Sequence, residues 1–156
     1  MINVDVLSED NNWSKKIKKK KDFFYKVCKA FPKKYQFSNK KIFFTLLLSN
    51  NKNIKKLNNQ FRKKNISTDI LSFPTTRLKK LENNSYLGDI IISYEFMNKS
   101  KNLNNLEFKK KVVRIFIHGF IHLLGYDHVN FKDFKKMINE ENKIYKTIDA
   151  RFTKIV

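Results

Sequence analysis

Cysteine, glycine and proline are scarce in this chain, and each shortage excludes a class of protein. The single cysteine, Cys28, cannot form an internal disulfide, which excludes a disulfide-stapled secreted scaffold. Three glycines and two prolines leave no room for a Gly-rich or Pro-rich linker between domains. A chain of 156 residues can bury one continuous core, so we predict a single domain over 1–156.

Long apolar segments are also missing. The longest apolar run, Ile42 to Leu48, is interrupted by Thr45 and is far shorter than the ~20 residues that a membrane-spanning helix requires. The first residues, MINVDV, lack the charged and then apolar layout of a secretory signal. We therefore predict a cytoplasmic protein that has no membrane partner.

Positive charge is what the sequence has in excess. Lys and Arg number 34 against 14 Asp and Glu, which gives a net charge of +20 at pH 7. Such a field attracts polyanions, so nucleic acid is the leading partner. Only four of the basic residues are arginine, and the abundant Lys, Asn, Ile and Phe share A/T-rich codons. The lysine excess therefore has two open explanations, RNA binding and genome composition.

Hydrophobic periodicity predicts an α+β fold. Alternating or β-branched segments indicate four strands, at 2–6, 41–49, 68–73 and 87–93, and the last two are expected to pair. Helical spacing indicates one helix from Trp13 to Phe31 with the run Lys15–Lys21 on its solvated face, one over Ile54, Leu57 and Phe61, and helices from Tyr94 onward with breaks at 102–105 and Gly125. We predict a mixed sheet of about four strands covered by helices, with the mostly apolar helix that contains His118 and His122 in the centre.

All three histidines of the chain lie in one segment, HGFIHLLGYDH, from His118 to His128. His118 and His122 are four residues apart on a predicted helix, so both project from one face. Gly125 can adopt the left-handed conformation that ends a helix, which returns His128 to the same point. Three imidazoles suit zinc and leave one tetrahedral position open for water. We therefore predict one catalytic Zn²⁺ per chain and hydrolytic chemistry.

Two questions about this segment stay open. Metzincin proteases share its offsets but place a glutamate directly after the first histidine as general base. Gly119 stands at that position here, so a metzincin-like metalloprotease is kept only as an alternative. Asp127 is predicted either to orient a ligand imidazole or to cap the helix that follows.

Three blocks of the sequence resemble the YbeY-type rRNA maturation factors, which are single-zinc endoribonucleases. The blocks are the histidine segment, LNNQFRKKNISTDILSFP from Leu57 to Pro74, and LGDI from Leu87 to Ile90. The helix tail with Met137 and Glu141 is also similar. Phe61, Ser67 and Ile70 stand where the family has tyrosine, proline and valine, and none of these differences removes a group that the chemistry needs.

The resemblance implies a zinc-dependent, single-strand-specific endoribonuclease. Its implied role is maturation of the 3′ end of the small-subunit 16S rRNA and ribosome assembly or quality control. The implied partners are rRNA in the small ribosomal subunit and ribosome-associated proteins. A non-catalytic rRNA-binding assembly factor is the second alternative, because a basic surface could bind rRNA without cleaving it.

By the same resemblance Arg62 is the active-site arginine, and its planar guanidinium can clamp a phosphate through two hydrogen bonds. We assign catalysis to Arg62 and His118. Substrate binding is assigned to Arg62, Lys63 and Lys64, with Lys55 and Lys56 extending the basic track. Other predictions are close backbone approach at Gly88 and Gly119, structural roles for Asp69, Ser72 and Asp89, and surface ion pairs for Arg77, Arg114 and Arg151.

Overall fold

The structure, a computed structural model, describes residues 1–75, 81–100 and 103–156. Arg77, with its predicted ion pair, and Asn102, at a predicted helix break, lie outside the described residues. The elements in chain order are β1 (Ile2–Ser8), α1 (Asn12–Lys16), α2 (Lys20–Lys29), a short 3-10 helix (Lys33–Tyr35), β2 (Ile42–Ser49), α3 (Asn51–Arg62), β3 (Ile70–Pro74), β4 (Ser85–Ser93), α4 (Tyr94–Met97), α5 (Asn105–Leu123), α6 (Phe131–Asp149) and α7 (Phe152–Ile155).

The strands form one mixed sheet in the order β1-β2-β4-β3. β1 pairs with β2 and β2 with β4 in parallel, whereas β3 pairs antiparallel with β4. The predicted pairing of the third and fourth strands is confirmed, and so is the α+β class with a four-stranded mixed sheet. β3 is an edge strand, which explains why Pro74 is tolerated at its end.

The two faces of the sheet are covered unequally. A large apolar core lies on the face that packs against α2 and α5, with α6 packed on α5, and it includes Phe24, Phe116 and Phe120 with almost no exposed surface. A smaller cluster of Ile54, Leu71 and Ile91 lies under α3 on the opposite face. Successive side chains of a strand point to opposite faces of the sheet. Along β3, Ile70 therefore packs against the large core, whereas Leu71 and Phe73 pack in the smaller cluster.

α5 is the central helix, as predicted, and most of its apolar residues are fully buried. Its first turn is fixed by a capping box, in which Asn104 accepts from the Glu107 N–H at 2.9 Å and the Glu107 carboxylate accepts from the Asn104 N–H at 2.9 Å. Among the described residues, no helix combines the length and the apolar composition needed to cross a membrane.

Two sequence-based predictions about the fold are wrong. The chain from Trp13 to Phe31 forms two helices rather than one, with extended backbone at Ile17. An unbroken helix would stack lysines of the Lys15–Lys21 run on one another a turn apart, and like charges at that spacing are destabilising. The predicted ion pairs of Arg114 and Arg151 are also absent among the described residues, and the Arg114 guanidinium instead lies 3.6 Å from the Tyr145 ring centre.

Candidate functional site

The last two turns of α5 present His118 and His122 on one side of the helix. Both side chains are half-buried, and their Nε2 atoms lie 3.2 Å apart. The predicted i, i+4 arrangement is therefore observed, with both rings turned toward the same point.

The end of α5 brings His128 back to the same point. Gly125 has φ +87°, and its N–H donates to the His122 carbonyl at 2.9 Å while the Tyr126 N–H donates to the Ile121 carbonyl at 3.2 Å. This pair of bonds is the Schellman motif, which requires a left-handed residue at the position of Gly125. The predicted helix-ending role of Gly125 is confirmed.

The three histidines form a group that could hold a metal ion. One ring nitrogen from each of His118, His122 and His128 lies within 4.8 Å of the others. Two nitrogens bound to one tetrahedral zinc at 2.0–2.1 Å are about 3.3 Å apart, close to the 3.2 Å between the His118 and His122 nitrogens. Three imidazole nitrogens are a donor set that suits zinc, and one pair of them already has the spacing that a shared ion would require.

The carboxylate of Glu141, on α6, lies 2.8 Å from Nδ1 of His118. A carboxylate accepts a hydrogen bond, so Nδ1 of His118 donates its N–H to Glu141, and in this tautomer Nε2 carries the free electron pair. Nε2 is the atom that faces His122. In the sequence, Glu141 stands out only as part of a helix tail that is similar to that of the family. The 23 positions that separate it from His118 carry no local pattern that would reveal this contact.

Burial and the neighbouring histidines favour the neutral form of the His122 imidazole. Loss of solvent lowers the pKa of its imidazole, and the neighbouring rings of His118 and His128 lower it further. A neutral imidazole is the form that binds a metal.

A cavity of about 420 Å³ opens in front of the histidines. Arg62 lines it from the end of α3 and donates from Nη2 to the Ser72 carbonyl at 3.4 Å. Ile70, Ser72 and Pro74 of β3 line it as well. The structure thus brings Arg62, predicted from the sequence, to the same cavity as the histidine group.

The predicted substrate lysines lie outside the cavity lining. Lys63 has the left-handed backbone that ends α3, and its Nζ turns back to the Gln60 carbonyl at 3.4 Å. Lys64 is exposed next to it, and Lys55 and Lys56 are exposed on α3. None of these lysines is among the described residues that line the cavity. Their role in RNA binding stays a prediction.

The three aspartates Asp69, Asp89 and Asp127 lie in different environments. Asp69 lines the cavity, and its Oδ1 accepts a hydrogen bond from the backbone N–H of Ile70 at 2.8 Å. Asp89 accepts from the Tyr86 hydroxyl at 2.8 Å. Asp127 also lines the cavity, but its Oδ1 accepts from the His128 N–H at 2.7 Å and does not cap α6. The capping interpretation of Asp127 is wrong, because Asn130 caps α6 by accepting from the Asp133 N–H.

Two glycines are required by close packing around the site. A Cβ at Gly88 would lie 2.0 Å from the Phe73 carbonyl oxygen, and one at Gly119 would lie 2.7 Å from Cδ1 of Ile70. Close backbone approach, predicted for both residues, is confirmed. Any side chain at Gly119, including the glutamate that a metzincin places there, would force Ile70 to shift, and with glycine at this position the protease alternative lacks its general base.

Comparisons with known proteins agree on one family. The family model for Endoribonuclease YbeY matches residues 6–149. An Endoribonuclease YbeY from Pelagibacter ubique is 63% identical over 151 residues, which cover 97% of this chain and 99% of that protein. Another from Buchnera aphidicola is 35% identical over 151 residues, which cover 97% of this chain and 92% of that protein.

A similar fold is found among solved structures. The solution structure of a Thermotoga maritima protein aligns with a TM-score of 0.57 and covers 99% of this chain and 93% of that chain. At 23% sequence identity, this likeness shows the fold alone.

Proposed function

Because the chain belongs to the YbeY endoribonuclease family, we propose that it is a zinc-dependent endoribonuclease that acts on single-stranded RNA. Its proposed place is the cytoplasm, in maturation of the 3′ end of the 16S rRNA of the small ribosomal subunit and in ribosome assembly or quality control. The observation that carries the proposal is the meeting of Arg62 and the three histidines in one cavity.

His118, His122 and His128 would hold the zinc. The bound ion would supply Lewis acidity and lower the pKa of a water molecule toward 7. The Nδ1–H bond to Glu141 holds the His118 ring in the orientation that the ion needs.

Arg62 is placed to bind the phosphate. Its guanidinium is exposed at the cavity wall, and among the described residues no carboxylate lies within 4.0 Å of it. A guanidinium in this state can donate two parallel hydrogen bonds to a phosphodiester and offset the negative charge that develops in the transition state. Arg62 and His118 are therefore the proposed catalytic residues.

The first test measures metal content. Protein purified without chelator is expected to contain about one zinc per chain by mass spectrometry, and each of His118→Ala, His122→Ala and His128→Ala is expected to lose it. Folded wild-type protein without stoichiometric metal would contradict the proposal.

Arg62→Ala separates an enzyme from a non-catalytic rRNA-binding assembly factor. It is expected to keep its zinc and most of its RNA affinity while single-strand cleavage falls by about 10²–10³. The matched control is Arg114→Ala, which removes an arginine that stacks on Tyr145 outside the cavity lining. Unchanged cleavage in Arg62→Ala would favour the assembly-factor alternative, with any cleavage due to a contaminant.

A further inference from the structure

Phe61 is an aromatic residue that the fold leaves in solvent. Its spacing with Ile54 and Leu57 predicts a core-facing position, yet 59% of its surface is exposed, whereas Ile54 is fully buried. The small core under α3 is closed by Ile54, Leu71 and Ile91 without it. Phe61 therefore contributes little to the core that its helix covers.

The exposed ring of Phe61 rests on a second aromatic ring. Its centroid lies 5.2 Å from that of Phe73, at an interplanar angle of 58°. Phe73 is half-buried against the small core, so it holds Phe61 in place from below. We call Phe61 and Phe73 the aromatic shelf. A ring supported in this way presents a fixed apolar surface at a low entropic cost to a ligand that stacks on it.

The aromatic shelf lies across the edge strand from the cavity. Ser72 and Pro74 of β3 line the cavity, and Phe73, between them in sequence, points to the opposite face of the sheet. Arg62 reaches over this edge. It donates to the Ser72 carbonyl at 3.4 Å, and its guanidinium carbon is 5.9 Å from the centre of the Phe73 ring.

One arginine thus touches both the cavity and the aromatic shelf. A cation that can hold a phosphate, beside an exposed aromatic ring, matches the two parts of a nucleotide, which are an anionic backbone and a base with two π faces. Lys63 and Lys64 are exposed and directly follow Arg62 in the chain, so they add positive charge to this part of the surface. This charge disfavours a basic or purely apolar protein segment as the occupant and favours a nucleic-acid strand.

We propose that the aromatic shelf is a base-stacking subsite, in which Phe61 stacks on an unpaired nucleobase next to the phosphate held by Arg62. The inference rests on the proposed function, because it takes RNA as the substrate. It gives a physical reason for a single-strand preference, since the faces of a base inside a duplex are covered by its neighbours and cannot reach Phe61.

The test uses zinc-loaded protein and a single-stranded RNA oligonucleotide. Phe61→Leu is expected to raise KM by about 10-fold, the loss of one stacked base, with kcat and zinc content unchanged. Phe61→Tyr is expected to restore KM because it keeps the ring. The matched control is Tyr25→Leu, which removes an aromatic side chain on α2 that is 49% exposed. An unchanged KM in Phe61→Leu would overturn the proposal and leave a protein partner as the occupant of the shelf.

A second arm isolates the base. With RNA that carries abasic positions around the cleavage site, Phe61→Leu and wild type are expected to have equal KM. A persisting difference would mean that Phe61 contacts the backbone or supports the fold, which also overturns the proposal.

Binding distinguishes failure of the inference from failure of the proposed function. A 2-aminopurine base in the oligonucleotide reports stacking by its fluorescence, whether or not the strand is cut. Wild-type protein that quenches this signal without cleaving would contradict the nuclease function and preserve the subsite. RNA cleavage with equal quenching by wild type and Phe61→Leu would preserve the nuclease function and overturn the stacking subsite.

Discussion

At the scale of single residues, the orientation of His118 depends on a side chain from another helix. Glu141 holds Nδ1 of His118 at 2.8 Å, and Nε2 of the same ring then faces His122 at 3.2 Å. A carboxylate behind a metal-binding histidine fixes its tautomer and increases its basicity. The site is therefore built from α5 and α6 together, although the three histidines belong to α5 and the loop that follows it.

Glu141→Gln tests this positioning role. Its amide keeps the size of the side chain but loses the negative charge, so zinc affinity is expected to fall by about 10–100-fold. Competition with a chromophoric zinc chelator at pH 7 measures the change. Asp149→Asn is the control, because it makes the corresponding carboxylate-to-amide change on the same helix, where the Asp149 carboxylate pairs with Lys110 at 2.8 Å. Equal zinc affinity in Glu141→Gln and wild type would show that the contact is incidental.

Some of the site residues can be recognised from local sequence patterns alone. The spacing of His118, His122 and Gly125 encodes a helix face and its end, and these features can be recognised without any tertiary information. Glu141 could not be found this way, because its contact depends on how α6 packs against α5. The exposure of Phe61 was hidden for a related reason. A periodic pattern gives the direction of a side chain but not where the neighbouring sheet ends.

At the scale of elements, α6 is tied to the segment before β2 by a buried carboxylate. Glu140 is 8% exposed and accepts hydrogen bonds from Lys34 and Lys143, each at 2.8 Å, and from the Tyr35 hydroxyl. These hydrogen bonds lower the pKa of the Glu140 carboxyl from 4.5 to about 2. The bond from Lys143 has the largest effect, followed by those from Lys34 and Tyr35. The 3-10 helix and α6 are thus joined through ionised Glu140.

This network predicts a pH-dependent stability. Because the folded pKa of Glu140 lies below its unfolded value, its contribution is complete above pH 4.5 and is lost as the pH falls toward 2. Glu140→Gln is expected to lower the free energy of unfolding by about 2 kcal/mol at pH 7. In urea titrations this difference should shrink across that acidic range.

Glu82→Gln is the control for the pH series, because Glu82 is exposed. Its unfolding free energy should follow that of wild type at every pH. A difference between Glu140→Gln and wild type that stays constant from pH 7 to the acidic range would show that the network stabilises by packing and not by charge.

The element order was predictable, and two details were not. Alternation and helical spacing located all four strands and the central helix, because burial on one face leaves a clear period in the sequence. The break between α1 and α2 leaves no such mark. Trp13 and Phe24 keep a helical period across it, and only the repulsion among the intervening lysines argues against one helix. The strand order β1-β2-β4-β3 is likewise absent from any local pattern.

At the scale of the whole molecule, the charge of +20 has two explanations that make different predictions. If the lysines near the site bind the RNA backbone, removing them should change the salt dependence of affinity more than removing lysines elsewhere. If genome composition supplied them, position should not matter, because a general field acts through the total charge alone.

Two variants of equal charge decide between these explanations. One replaces Lys55, Lys56, Lys63 and Lys64 with Gln, and the other replaces Lys18, Lys19, Lys20 and Lys21, at the junction of α1 and α2. Each lowers the net charge by the same four units. Affinity for a single-stranded RNA is measured over a range of salt concentrations, and its logarithm falls with the logarithm of salt by about 0.7 for each phosphate contacted.

In the first variant we expect the slope of log affinity against log salt to become shallower by about 0.7 for each phosphate contact removed. The second variant is expected to keep the wild-type slope. This outcome would place the backbone track beside Arg62, where α3 meets the cavity. Equal losses in both variants would mean that RNA is attracted by the whole basic surface. Arg62 and the aromatic shelf would then have to provide the position of cleavage, because a uniform field cannot hold a strand in one register.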